Sequence, residues 1–454
     1  NVFWNVLPAH TGSSFDEHVS QPSQIQNLKS ERCMTIDTSG PSFQGANVLQ
    51  GLCDDTSDAS LNWSILAEVP VGATPSQAPI TLLPPLIGND PTLDDGVLSS
   101  PKGAAADTPS PTQSPNPTAA PHSNSVWGPV HGMDITAAAA ANLPNGKIMT
   151  WSSYTKLQFG KFQGLTWVSL LDPFTHTYET KLVDTGHDMF CPGTAVLADG
   201  RIMVTGGSKA EPTTFYNPDV DVWTRGQDMN IPRGYQSMTV LTDGSVFTMG
   251  GSWTDGRPGV GFKYGEVWDP RTSNWTLKTN LVAERIATDD KDGIYRGDNH
   301  FWMFQAPNGK VFHAGPSKMT HWIDVNGDDN ITDAALREEN VDGMTGVAVM
   351  YDIGKILTLG GTPNYRGGWG TNHTHVIDIS GGEGTVTATM VDDMNHVRTN
   401  ANAVVLPNGE VVVVGGQLRS RLFTDLDSMY RAEIWNPNTM QWTNLTDLSK
   451  PRNY

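Results

Sequence analysis

From about residue 139 the chain repeats one hydropathy pattern. A turn dipeptide is followed by a short unbroken apolar run and then, in most cases, by a glycine pair. The pattern reads "PNGKIMTWSS" at 144–153, "ADGRIMVTGG" at 198–207 and "TDGSVFTMGG" at 242–251. It returns as "PNGKVFHAG" at 307–315, "IGKILTLGG" at 353–361 and "PNGEVVVVGG" at 407–416. Asn-Gly and Asp-Gly supply the positive φ that a tight hairpin needs. A continuous apolar run of four or five residues bounded by such turns predicts a strand covered on both faces, here the buried inner strand of each unit. The glycine pair leaves room for a backbone to turn where neighbouring units crowd.

The turn glycines Gly146, Gly200, Gly244, Gly309, Gly354 and Gly409 stand 44 to 65 residues apart, the spacing of four-stranded propeller blades. Downstream, "TFYNPDVDVW", "EVWDPRTSNW" and "EIWNPNTMQW" give the outer strands. Each has an aromatic residue, an Asx-Pro turn and then Trp223, Trp275 or Trp442. This is the kelch pattern. It predicts an all-β protein built on a seven-bladed kelch-type β-propeller, the last blade incomplete because the chain stops at "SKPRNY".

The 454 residues contain 46 Gly and 30 Pro with 17% charged residues, which suits a turn-rich all-β chain. The net charge of −19 makes nucleic acid and anionic membranes poor partners. No apolar run reaches the roughly 18 residues of a membrane-spanning helix. The chain begins with Asn1 and shows no signal peptide, so it reads as a processed chain or a fragment.

Residues 71–124 are rich in Pro, Ser, Thr and Ala and predict an extended, O-glycosylated linker. It separates a small β module at 1–70 from the propeller at 125–454. Cys33 and Cys53 lie close enough in the first module to form a disulfide, which leaves Cys191 alone. Five sequons start at Asn62, Asn274, Asn330, Asn372 and Asn444, and with the cysteine pair they favour a secreted, extracellular protein. The tract from Ile25 to Ile65, with its two cysteines, "GANVLQ" and Trp63, resembles one repeat of a ricin-type β-trefoil lectin, which implies glycan binding; a disulfide-stapled β domain without known ligand is the plainer alternative.

Cys191 in "DMFCPG" and Tyr235 in "PRGYQS" lie at equivalent offsets upstream of adjacent blade turns. That places both on one end of the propeller, near its axis. On this ground alone Cys191 reads equally as a small buried hydrophobe and Tyr235 as a packing aromatic. Two further motifs are ambiguous. "DVNGDDNITD" at 324–333 resembles a calcium loop, but Asp329 replaces the turn glycine and Ala335 the closing acid, so a plain polar loop is expected. His373 and His375 are compatible with a metal site and read better as an exposed strand end, since they overlap a sequon.

The segments "WGP…AAAAANLPNGKIMTWSSY", "HDMFCPG", "PRGYQS", "GGSW" and "YRGDNHFW" closely resemble the galactose-oxidase family of copper-radical oxidases. The likeness runs from about Trp127 to Tyr454. It implies a thioether between Cys191 and Tyr235, with Trp253 stacked on the linked ring and the pair acting as a radical cofactor beside Cu(II). Tyr235 and Tyr454 would be copper ligands, and Tyr454 also the base that deprotonates the alcohol. The family's histidine ligands are expected after Tyr454, so this stretch alone is expected to be inactive.

Phe159, Arg296, Arg366 and Phe423 match positions that line the family's sugar pocket. Arg366 stands where the family has a glutamine, and a donor-only guanidinium puts preference for galactose in doubt. The implied reaction converts a primary alcohol and O2 to an aldehyde and H2O2. A non-catalytic, glycan-binding propeller is the competing class. Glyoxal-type aldehyde oxidation is the rival within enzymes, and Trp253, Arg296 and Phe159 together favour the galactose-oxidase branch.

Overall fold

A computed structural model describes the strands of the first module and residues 125–454, apart from 159–163, 209–210, 252–262, 291–299, 338–340 and Tyr454. The chain divides into two units, Asn1–Ser110 and Pro111–Tyr454. In the first unit five short strands, β1 (Trp4–Leu7), β2 (Gln24–Asn27), β3 (Arg32–Ile36), β4 (Asn47–Leu52) and β5 (Asn62–Ser64), form one antiparallel sheet in chain order. The Cys33–Cys53 pairing lies outside the described residues, as do the linker residues 71–124.

The second unit is all β apart from one short 3-10 turn at Ala283–Arg285. Among the described residues it holds six four-stranded antiparallel sheets, each in simple chain order, arranged as propeller blades. They span 139–184 (blade I), 193–225 (II), 237–278 (III), 303–336 (IV), 347–390 (V) and 402–447 (VI). All six turn glycines identified in the sequence have φ between 71 and 85° and join the first strand of a blade to its second.

The apolar run is the second strand, not the innermost one. The first strands of blades II and III, III and IV, and V and VI approach each other directly, so they line the axis. The second strand lies one position out, where both faces meet side chains. Ile202–Thr205 and Val246–Met249 are buried at every residue.

Side chains between consecutive blades form five core clusters. Blades I and II share Met149, Trp151, Ile202 and Val204; blades V and VI share Leu357, Leu359, Val411 and Val413. The kelch tryptophans also bind across blades. Trp275 of blade III donates its indole N–H to Thr213 of blade II at 3.0 Å, and Trp442 of blade VI donates to Thr374 of blade V at 3.1 Å. The outward face of blade VI differs. Val404, Val412 and Ile434 lie in one register row, Val404 is exposed, and the other two are only half-buried. At the outer edge of this blade Thr446 is tied to the start of the unit. Trp127 donates its indole N–H to the Thr446 carbonyl at 2.7 Å, and the Thr446 amide donates to the Ser125 hydroxyl at 2.9 Å.

The 324–333 stretch is a polar β-hairpin: Asp324 ends the third strand of blade IV, 325–329 turn, and Asn330 opens the fourth strand. Asp324 accepts the Gly327 amide and pairs with Lys310, while Asp329 pairs with Lys278. His375 is not an exposed strand end. It is 2% exposed because the third strand of blade V turns it toward blade IV, and that burial, with Arg337 and His373 adding to it, lowers its pKa to about 3.

Candidate active site

Blades II to VI each hand one residue to the end of the propeller opposite the turn glycines. Cys191, Tyr235, His300, Thr345 and Asn400 precede the first strands of blades II to VI by two or three residues. All five have left-handed φ, between 54 and 58°, which is uncommon for residues with a side chain. Each stands nine residues before its blade's turn glycine. Backbone hydrogen bonds join Cys191, Tyr235 and His300 in sequence, and Thr345 to Asn400. The Tyr235 amide donates to the Cys191 carbonyl at 2.9 Å, the His300 amide to the Tyr235 carbonyl at 3.0 Å, and the Asn400 amide to the Thr345 carbonyl at 2.8 Å.

Two buried arginines set this ring. The Arg233 carbonyl accepts the Gly207 amide at 3.1 Å and the Arg398 carbonyl accepts the Gly361 amide at 3.0 Å. Two residues after them come Tyr235 and Asn400. A third carbonyl, that of Arg452, accepts the Gly416 amide at 2.7 Å in the same way. The residue two further on is Tyr454, itself outside the described residues. The glycine pairs make these approaches possible. A Cβ on Gly206 would meet the Arg233 carbonyl oxygen at 2.1 Å, and one on Gly415 would meet that of Arg452 at 1.9 Å.

Tyr235 is 4% exposed. Its hydroxyl hydrogen-bonds the Cys191 sulfur; that bond opposes burial, which together with Asp188 still pushes the thiol up to about 12. The thiol is therefore neutral at physiological pH and held against a phenol. The His300 ring meets Tyr235 edge-on, with centroids 4.9 Å apart at 66°. His300 is reachable by solvent, but it sits among many protein atoms, and that desolvation lowers its pKa to about 4. It is a neutral imidazole beside the phenol.

No protein-family model matches the chain. Two Gibberella zeae proteins named galactose oxidase are 41% identical to it over 322 residues, which is 68% of this chain and 47% of each relative. The chain thus spans about half the length of the curated relatives it matches. A solved structure of a fungal alcohol oxidase of the AA5 family, in complex with copper, is 36% identical with a TM-score of 0.68, over 73% of this chain and 69% of that one. The chain belongs to the galactose-oxidase and AA5 copper alcohol oxidase family.

Within this member of the family, the structure brings Cys191 and Tyr235 together. Arg366 lies in the loop between the second and third strands of blade V, and Phe423 in the corresponding loop of blade VI. Second strands run away from the turn glycines, so both loops lie at the ring end. Arg366 is exposed, and Phe423 is 52% exposed with φ 60°. Trp253, Phe159, Arg296 and Tyr454 lie outside the described residues.

His300, Thr345 and Asn400 are ring members that the motif reading does not reach. A signal for them exists, since the nine-residue offset of Cys191 and Tyr235 from their turn glycines recurs in blades IV, V and VI. Among the described residues no group of three or more His, Cys, Asp or Glu side chains comes together as a metal cage. Among the described ring residues Tyr235 offers a phenol, and phenolate with imidazole is a donor set that suits Cu(II).

Proposed function

We propose that the full protein is a copper-radical oxidase that converts a primary alcohol of a galactose-type sugar, with O2, to an aldehyde and H2O2. The observation that supports this best is the hydrogen-bonded contact between the Cys191 thiol and the Tyr235 phenol. In this reading a thioether forms between the sulfur and the ring carbon beside the phenol oxygen. The S–H and ring C–H hydrogens leave, and two electrons and two protons pass to O2, giving H2O2. The sulfur then donates electron density, so the phenol loses one electron more easily and holds the oxidising equivalent as a radical.

Tyr235 and Tyr454 would hold the metal, with imidazoles supplied by residues that follow Tyr454. Copper, when bound, supplies the second one-electron store and a Lewis-acid seat for the alcohol. Tyr454 takes the hydroxyl proton, as a general base must from hydrogen-bond distance. Trp253 covers the linked ring. Phe159 and Phe423 pack against the apolar face of the sugar, and Arg296 and Arg366 donate to its hydroxyls. The accessible row Val404, Val412 and Ile434 supports a seventh blade that covers it. Secretion is part of the same reading, resting on the sequons.

The test is intact mass on the full-length protein before and after copper and oxygen. A loss of two hydrogens, absent in C191S, together with peroxide formed from galactose, is the expected result. Unchanged mass and no peroxide from any primary alcohol would sink the reading and favour a propeller that only binds glycans.

A further inference from the structure

Met238 is the second residue of the first strand of blade III, Ser237–Val240, three residues after Tyr235. Its sulfur reaches across to blade II. The buried Thr205 hydroxyl donates to the Met238 Sδ at 3.1 Å. The sulfur also rests against Gly193, two residues after Cys191, where a Cβ would meet it at 2.5 Å. Thr205 is held from the other side by Gln236, the residue after Tyr235. The Gln236 side-chain amide donates to the Thr205 hydroxyl at 3.0 Å and to the Thr205 carbonyl at 2.7 Å. One thioether thus touches the strand that follows Cys191 and the hydroxyl that anchors the neighbour of Tyr235.

Two other methionine sulfurs accept a threonine hydroxyl, Met189 from Thr214 at 3.6 Å and Met344 from Thr288 at 3.5 Å. Both are sealed, at 0% and 1% exposure. Met238 is only half-buried, because its strand lines the axis, so solvent reaches it. Its side chain packs into the seam between blades II and III, against a cluster that includes Met203 and Val246. A thioether suits that seam, being apolar and a weak acceptor. A sulfoxide does not, since its oxygen is polar and adds bulk where Gly193 leaves none.

We propose that Met238 is a sulfoxidation site through which hydrogen peroxide loosens the seat of Cys191 and Tyr235. The step is a two-electron oxygen transfer. A sulfur lone pair attacks one peroxide oxygen, the O–O bond breaks and an S–O bond forms. The departing hydroxide takes the proton of the new S–OH group and leaves as water. Sulfur is oxidised and peroxide is reduced. Thr205 then donates to the new oxygen instead of the sulfur, so its bond from Gln236 and the sulfur's contact with Gly193 must both shift. The change is reversible, because methionine sulfoxide can be reduced enzymatically. That the peroxide comes from the protein's own turnover rests on the alcohol-oxidase reading; the modification site itself does not.

The experiment treats the full-length, copper-free protein with hydrogen peroxide and follows it by peptide mapping and hydrogen–deuterium exchange, which need no turnover. Met238 should gain one oxygen, and Met189 and Met344 none. The exposed Met390 and Met440 should also gain oxygen and report that the treatment worked. The peptide containing Tyr235 should exchange about tenfold faster after treatment, and methionine sulfoxide reductase should reverse this. M238L conserves volume and has no sulfur. After the same treatment it should exchange at the untreated rate, with Met390 and Met440 still oxidised.

An intact Met238 beside oxidised Met390 and Met440 would overturn the proposal. So would an oxidised Met238 with unchanged exchange, or equal acceleration in treated M238L. In a second arm, copper-loaded protein turning over galactose should place the same oxygen on Met238, and catalase should suppress it. If added peroxide modifies Met238 and speeds exchange but no alcohol is oxidised, the oxidase reading fails and the modification site stands. If alcohols are oxidised and Met238 resists added peroxide, the reverse holds.

Discussion

Arg233 and Glu266 form an ion pair 2.7 Å long in which neither side chain has any exposed surface. Further hydrogen bonds hold both side chains. Arg233 also donates to the Gly250 and Tyr264 carbonyls, and Glu266 accepts the Asn230 and Ile231 amides. Blade VI repeats it with Arg398 and Glu433, where Glu433 accepts the Asn395 amide. Removing one partner strands a buried charge, which typically costs about 3–5 kcal/mol. Glu266→Gln and Glu433→Gln should both lower stability on that scale in chemical denaturation. Only Glu266→Gln should also slow the Cys191–Tyr235 mass change, because Arg233 lies two residues before Tyr235.

The glycine pairs predict a second effect. Gly415 has φ 66° and no space toward the Arg452 carbonyl, whereas Gly382 has φ 79° and nothing within 4 Å of the place an added Cβ would take. Gly415→Ala should therefore cost more than the strain of a left-handed alanine, which alone is about 1 kcal/mol. Gly382→Ala should cost only that strain. On the proposed oxidase reading, Gly415→Ala in the full-length protein should lower kcat by displacing Arg452 and the tyrosine two residues on, while Gly382→Ala should leave kcat unchanged.

Acid should weaken the propeller through its interior histidines. His313 and His321 face each other across blade IV with their Nδ1 atoms 3.1 Å apart, both buried. Burial lowers His321 from 6.5 to about 4, and burial with the neighbouring His321 and Arg337 lowers His313 well below 6.5. A histidine whose folded pKa is depressed takes up its proton in the unfolded chain first. Stability is therefore unaffected above pH 6.5 and falls as the pH drops from 6.5 toward 4. His321 alone contributes roughly 2–3 kcal/mol to that fall. His321→Gln should flatten the Tm against pH curve over this window and leave the neutral Tm nearly unchanged.

The sequons divide by accessibility. Asn274 and Asn330 are exposed at the starts of fourth strands. Asn444 is 2% exposed. Glycopeptide mass spectrometry of protein secreted from a eukaryotic host should find glycan on Asn274 and Asn330 and none on Asn444.

Much of this architecture is legible in the sequence because each blade announces itself with a turn glycine and an apolar strand. The pairing of Cys191 with Tyr235 follows from their equal offsets and from family likeness. Other features are harder to read. Hydropathy alone points to the apolar run as the innermost strand, yet axis-lining strands such as Ser237–Val240 are only half-buried, since they face the central channel on one edge. His375 defeats the pattern because alternation does not say which face of a strand meets the next blade. Trp369 carries no pattern at all. Its setting comes from Arg419, far along the chain, and from backbone bonds between two loops that no local signal encodes.

The recurrent left-handed residue has a wider consequence. The packing of a blade depends on its strands, whereas its contribution to the axis is a single letter placed nine positions ahead of a glycine. A substitution there rewrites the reactive surface without disturbing the hydrophobic seams between blades. Thiol, phenol, imidazole, hydroxyl and carboxamide already occupy five such places. The scaffold behaves as a combination lock whose wheels turn independently, and new chemistry in this lineage can arise one wheel at a time.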